Sequence, residues 1–144
     1  MLLGQSVHML DEKNRFILPA RFNGDTNKSA FMVLTAGTEQ CLFLFNEFAW
    51  NNITERLQNM SQIGEAEHRA FKRVFFSMAM EIKLDTQRRV LIPNMLLKFA
   101  GIKKNIMIIG VGDRIEVWTP EKWQLYRDKI SGAKYNKIAG KAGI

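Results

Sequence analysis

Two stretches of this chain set an aspartate four residues ahead of an arginine with polar residues between them: Asp11-Glu12-Lys13-Asn14-Arg15 and Asp85-Thr86-Gln87-Arg88-Arg89. An aspartate and an arginine on either side of a three-residue tip can pair across it, and Asn14 suits the left-handed position that such a tip needs. Arg88 holds that position in the second stretch, where a left-handed arginine costs roughly 1 kcal/mol, so this tip is free to adopt another turn. The chemistry open to these side chains is recognition rather than bond-making. A guanidinium presents a planar fork that matches O6 and N7 of guanine, an ammonium meets phosphate, and an amide reads a base edge. Lys13, Arg15, Arg88 and Arg89 are therefore the candidate cations for a polyanion, Gln87 a candidate base reader, and Arg21 and Lys83 nearby phosphate candidates. Asp11 and Asp85 would orient the two motif arginines. The competing reading is a solvent-exposed ion pair worth well under ~1 kcal/mol. Arg15 would then be structural, and its loss would unfold the hairpin rather than remove a contact.

Both stretches belong to a longer internal repeat. Met9 to Pro19, MLDEKNRFILP, aligns with Lys83 to Pro93, KLDTQRRVLIP, and the same shift sets Met32, Val33 and Leu34 opposite Ile106, Met107 and Ile108. With one deletion Gly37 falls opposite Gly110, and Leu42, Leu44, Phe45 and Trp50 fall opposite Ile115, Val117, Trp118 and Trp123. Self-similarity on this scale implies two half-domains, each a strand-hairpin-helix unit. Val7 to Leu10 and Arg15 to Leu18 read as hairpin strands joined by the turn. A second strand pair follows in each half, near Phe31 to Thr35 with Leu42 to Phe45, and near Ile106 to Ile109 with Arg114 to Trp118. Asn46 and Thr119 have the chemistry of helix N-caps, with Pro120 at a first helical position and Glu47 and Glu121 in first turns. Ile63, Ala66, Ala70, Phe71, Val74, Phe75 and Met78 recur at helical spacing, predicting an amphipathic helix over about residues 62 to 79 whose stripe packs on the core or on another subunit. A short helix from Asn94 to Ala100 should close at Gly101.

The formal charge of +7 suits a polyanionic partner, although part of the surplus lies in the stretch from Lys129 to Ile144, which reads as a flexible basic tail. The single Cys41 reads as a small buried hydrophobe. His8 and His68 are far apart and lack companions at metal-ligand spacing, so no metal or cofactor is expected. Ser6, Ser61 and Ser77 have no nucleophile context, and Glu65, Glu67, His68 and Arg69 read as a solvated helix face, so no enzyme is expected. Gly110-Val111-Gly112-Asp113 lacks the lysine and helix of a phosphate loop and reads as a tight hairpin turn. Trp50, Trp118 and Trp123 fall in apolar runs that suit the core or a subunit interface. No apolar run reaches the roughly 18 residues of a membrane span, nor is there a signal-peptide pattern, so the chain is expected in the cytoplasm.

At the doubled D-x-x-x-R, each copy followed by an apolar triplet and proline, the sequence resembles the MraZ family, related to the AbrB-like swapped-hairpin fold. The resemblance runs over about residues 1 to 130, from the opening MLLG to EVWTPEKW. The chain departs from the family pattern at Asn14 and Arg88, where glycine is common, and at Leu3, where arginine is common. The resemblance implies an α+β fold: a first AbrB-like repeat over 1–60, a linking helix over 61–80, a second repeat over 81–130 and the tail over 131–144. It further implies a homo-oligomer closed into a ring, bound through its hairpin motifs to double-stranded DNA at short direct repeats upstream of the division and cell-wall gene cluster, at the nucleoid. Repeats and a basic charge would equally suit an adaptor ring that binds a partner protein without sequence-specific DNA contacts.

Overall fold

The turn chemistry of Asp11 to Arg15 is local, but the strands on either side of it must find partners that bury Leu10, Phe16 and Leu18. In the computed structural model, which describes residues 1–22, 31–60 and 64–144, they find them in the other half of the chain. Strand β1 (Leu2–Met9) is followed by the turn, β2 (Arg15–Ile17) and a 3-10 turn at Ala20–Phe22. β3 (Met32–Ala36), β4 (Leu42–Asn46) and helix α1 (Glu47–Asn59) complete the first half. After α2 (Glu65–Ser77), the second half runs β5 (Met80–Ile82), β6 (Arg89–Leu91), α3 (Asn94–Ala100), β7 (Asn105–Gly112), β8 (Ile115–Trp118), α4 (Pro120–Lys129) and α5 (Ala133–Lys141).

Six strands form one antiparallel sheet in the order β1-β7-β8-β4-β3-β5, and β2 and β6 form a separate two-stranded ribbon. The order is a palindrome of the repeat, because β1 corresponds to β5, β7 to β3 and β8 to β4. A pseudo-two-fold axis therefore crosses the sheet at the pairing of Phe43 with Glu116 and the ribbon at the pairing of Phe16 with Val90. The expected hairpins are corrected here. β1 pairs along its length with β7, and β2 pairs with β6, whereas one main-chain bond, from Asp11 N–H to the Arg15 carbonyl at 2.9 Å, ties the two flanks of the tip. Turn residues specify a reversal of direction; the ladder partner is chosen by which pairing buries the apolar faces. Here that choice places Leu10, Phe16, Leu18, Val90 and Ile92 in one core with Leu34, Leu44, Ile106, Ile108, Ile115 and Val117 from both halves.

The strand pairs β3–β4 and β7–β8 form as the sequence indicates, the second closed by a tight turn at Gly112 and Asp113. The helix ends also follow the expected chemistry. The Asn46 and Thr119 side chains accept from the main-chain N–H groups of Ala49 and Lys122, Pro120 opens α4, and Gly101 closes α3 in the left-handed region at φ 67°. Lys122 Nζ then donates to the Ala100 carbonyl at 2.8 Å, fastening α4 over the end of α3. After α1, α2 holds the place in the first half that α5, after α4, holds in the second. Its stripe lies beside β3, where Thr35 Oγ1 donates to the Phe75 carbonyl, and its rings stack on Trp50, yet no α2 residue is fully buried. Ile63 of the expected stripe lies outside the described residues, as does Ser61. The stretch 131–144, expected as a flexible tail, instead carries α5: its alanines and lysines are good helix formers, and this local preference prevails over Gly140. Cys41 is buried in a satellite cluster with Ile109 and Trp118, and burial pushes its thiol pKa well above the ordinary value.

The seam between β1 and β7 depends on a missing side chain. Gly110 lies opposite Gly4, and a Cβ at Gly110 would stand 2.6 Å from the Leu2 carbonyl carbon and from the Leu3 nitrogen. Main chain cannot swing aside as a flexible side chain does, so Gly110→Ala should destabilise the protein by about 1–3 kcal/mol or more. Gly140→Ala, where a Cβ meets open space on a helix, should leave the thermal midpoint unchanged or raise it slightly. Melting the two variants side by side checks the contrast.

Candidate nucleic-acid interface

Each tip is organised by its own aspartate. Asp11 Oδ1 accepts from the main-chain N–H groups of Lys13 and Arg15, both at 2.9 Å, while Oδ2 accepts from Arg15 Nε at 2.8 Å. The second tip repeats this with Asp85: Oδ1 accepts from the N–H groups of Gln87 at 2.9 Å and Arg89 at 3.0 Å, and Oδ2 from Arg89 Nε at 2.6 Å. Asn14 and Arg88 both stand in the left-handed region, at φ 59° and 58°. The second tip thus adopts the same turn despite its arginine. The three bonds gathered by Asp85, and the bond from Leu18 N–H to the Arg88 carbonyl at 3.0 Å, outweigh a conformational cost of roughly 1 kcal/mol. Its pseudo-symmetric mate runs from Ile92 N–H to the Asn14 carbonyl at 2.9 Å, so each tip is braced by the other half.

The ribbon between the tips has two unlike faces. Phe16 and Val90 turn into the core, and alternation along the strands turns Arg15, Ile17, Arg89 and Leu91 outward. Because Arg15 pairs with Leu91 and Ile17 with Arg89, the outward face is a two-by-two check of arginine and aliphatic side chains. Lys13 and Gln87 are exposed at the tips, Lys83 is exposed just after β5, and Arg88 is half-buried behind its tip. Arg21 is held elsewhere: its Nη1 donates to the Gln5 carbonyl at 3.1 Å, which lays it along β1. The structure therefore brings Lys13, Arg15, Gln87 and Arg89 together around one ribbon. Ile17 and Leu91 belong to the same surface but escaped the sequence reading, since the apolar triplet after each arginine resembles a core strand. The signal that finds them is the odd length of that triplet, of which only alternate residues can face inward.

The Arg15 main-chain N–H, with its side chain and the Lys13 N–H, holds the Asp11 carboxyl below its ordinary 3.8, and the Arg89 main chain and side chain do the same for Asp85. A depressed carboxylate pKa in the folded state gives stability that is present above the unfolded value and lost as pH falls through the folded one. Both turns should thus hold at neutral pH and come undone below 3.8. Following the Nε–H resonances of Arg15 and Arg89 by NMR in an acid titration tests this, and Asp11→Asn/Asp85→Asn should flatten the transition. The histidines are engaged locally, His8 Nε2 with Ser6 Oγ at 2.9 Å and His68 Nε2 with the Leu57 carbonyl at 2.6 Å. Among the described residues no group of three or more metal-ligating side chains gathers, and no helix is long and apolar enough to cross a membrane.

The structure is that of an α+β chain of two pseudo-repeated halves, strand-exchanged about one axis and displaying a pair of aspartate-braced arginine turns. The family described as "MraZ protein, putative antitoxin-like" matches twice, over residues 1–74 and 75–142, one match for each half. The chain is also 40% identical over 141 residues to the "Transcriptional regulator MraZ" of Clostridium tetani, covering 98% of this chain and 96% of the relative. It is 38% identical over 139 residues to the protein of that name from Caldanaerobacter subterraneus subsp. tengcongensis, covering 96% and 94%, and 36% identical over 142 residues to that from Symbiobacterium thermophilum, covering 99% and 100%. The chain belongs to the MraZ family.

Proposed function

We propose that this protein is a sequence-specific DNA-binding transcriptional regulator, acting in the cytoplasm at the nucleoid. In this reading it forms a homo-oligomeric ring that recognises short direct repeats in the promoter of the division and cell-wall gene cluster. The observation that carries the reading is the outward face of the β2–β6 ribbon, with Arg15 and Arg89 each aimed by its own aspartate. A two-stranded ribbon fits the major groove, and a guanidinium whose Nε is already held keeps its two Nη groups for a base or a phosphate. Lys13, Gln87, Arg88 and Lys83 add donors and charge around it, with Arg21 set farther along β1. Names carried by the relatives, as transcriptional regulators, agree with this chemistry.

Assembly is supported by apolar surface left exposed among the described residues. Leu3, Val7 and Met9 are exposed on β1, an edge strand, and Phe71 and Val74 are exposed on α2. One ribbon offers few contacts, so linked copies on matching repeats would gain affinity by effective concentration. The test is binding of the purified protein to labelled duplexes carrying tandem promoter repeats, against scrambled repeats, across a salt series. Repeat-selective binding supports the regulator. Equal, steeply salt-dependent binding to both duplexes would reduce the interaction to a polyelectrolyte effect, and absence of binding at modest salt would favour the adaptor.

A further inference from the structure

Ile17 and Leu91 hold an unusual place for aliphatic side chains. They are 60% and 51% exposed, on a ribbon whose opposite face is sealed into the core. The arginine side chains beside them are 26% and 31% exposed, so the aliphatic pair is no less prominent on the surface than the cations that the motif advertises. Each faces an arginine directly across the ladder, Leu91 against Arg15 and Ile17 against Arg89, and the pseudo-two-fold axis exchanges the two pairs. An arginine and an aliphatic group some 5 Å apart, presented together on a ribbon, match two neighbouring features of a major-groove edge. One is the acceptor pair of guanine. The other is the C5 methyl of a pyrimidine, the apolar group that projects into that groove.

We infer that Ile17 and Leu91 are specificity-determining residues, each packing against the C5 methyl of a thymine adjacent to the base or phosphate engaged by the arginine across from it. This rests on the DNA-reading function proposed above and extends it from charge to shape. Neutral aliphatic side chains contribute nothing to a phosphate contact, and water-exposed isoleucine or leucine gains by burial against a methyl. A second copy of the chain is the competing occupant of this face. The surrounding Lys13, Arg15 and Arg89 weigh against it, since a second ribbon presenting the same cations would bring like charges together.

The experiment selects a preferred duplex from a random-sequence double-stranded pool with the full-length protein, then replaces each thymine of that duplex singly with deoxyuridine, which removes only the methyl. Wild type should bind about fourfold more weakly at the contacted positions, the worth of burying one methyl group. Ile17→Ser should abolish the sensitivity at one set of positions and Leu91→Ser at another, with thermal midpoints close to wild type because both side chains face solvent. Placing 5-methylcytosine at the same positions, paired with guanine, separates recognition of the methyl from recognition of thymine as a base: recovered binding supports the methyl contact. A wild type indifferent to deoxyuridine everywhere, or serine variants that keep the sensitivity, would overturn the inference and leave DNA recognition standing. Failure of the protein to enrich any duplex would remove the proposed function itself, and this inference with it.

Discussion

Arg15→Ala/Arg89→Ala should lose repeat-selective DNA binding by at least about thirtyfold while remaining folded. Each well-placed bidentate arginine contributes about 1–3 kcal/mol of base discrimination, and every subunit loses two. The fold should survive because both side chains lie on the outward face of the ribbon, and Asp11 and Asp85 keep their main-chain N–H donors from Lys13, Gln87 and positions 15 and 89. Arg15→Lys/Arg89→Lys is the sharper comparison. Lysine retains the charge but lacks the planar fork, and its single Nζ cannot replace both the arginine Nε at the aspartate and the arginine Nη groups at a base. That variant should keep much of the salt dependence and lose the preference for repeats over scrambled sequence. Equilibrium binding to both duplexes at several ionic strengths distinguishes the two losses. Unchanged selectivity in the alanine variant would return Arg15 and Arg89 to a structural role.

Phe16→Ala should be the most destabilising single change in the ribbon, at about 3–5 kcal/mol. For a chain of 144 residues this corresponds to a fall in melting temperature of roughly 10–15 °C, measurable by calorimetry. Phe16 is 2% exposed and pairs with Val90 where the pseudo-two-fold axis crosses the ribbon, so its loss opens a cavity beneath both tips at once. The bonds from Ile92 and Leu18 to the Asn14 and Arg88 carbonyls run through the same few residues. DNA binding by the variant should therefore be near normal well below the new midpoint and fail for both tips together as that midpoint is approached. Ile17, one residue on, faces the other way, and its substitution should alter binding with little effect on melting.

Much of this organisation was legible in the residues because it depends on short-range chemistry. The repeat, the caps at Asn46 and Thr119, the glycine stop at Gly101 and the aspartate-arginine pairing need only neighbours in sequence, and they stand where the sequence places them. The exchange of β1 and β2 between halves was not legible as such. The turn at Asp11 to Arg15 is equally consistent with a self-contained hairpin, and the choice is settled by burial shared among residues some 75 positions apart in the alternating faces. Arg88 misleads for a related reason: its propensity opposes the left-handed turn, but the cost is overridden by bonds from Asp85 and from Leu18 in the opposite half. Of the candidate cations, Arg21 is the one that spacing cannot place, because the carbonyl it meets belongs to Gln5, earlier in the chain and on another strand.

A protein built from two identical subunits about a true dyad is bound to present identical reading heads, and its sites mirror that symmetry as inverted repeats. Here both heads lie in one polypeptide, joined through α2, and they have different tips: Lys13 and Asn14 on one, Gln87 and Arg88 on the other. The covalent link thus releases the two turns to diverge without losing the partnership that folds them. A ribbon of this kind has a left and a right. On the proposed function, a duplex would be read with a polarity, and copies arrayed head to tail would call for repeats that all point the same way.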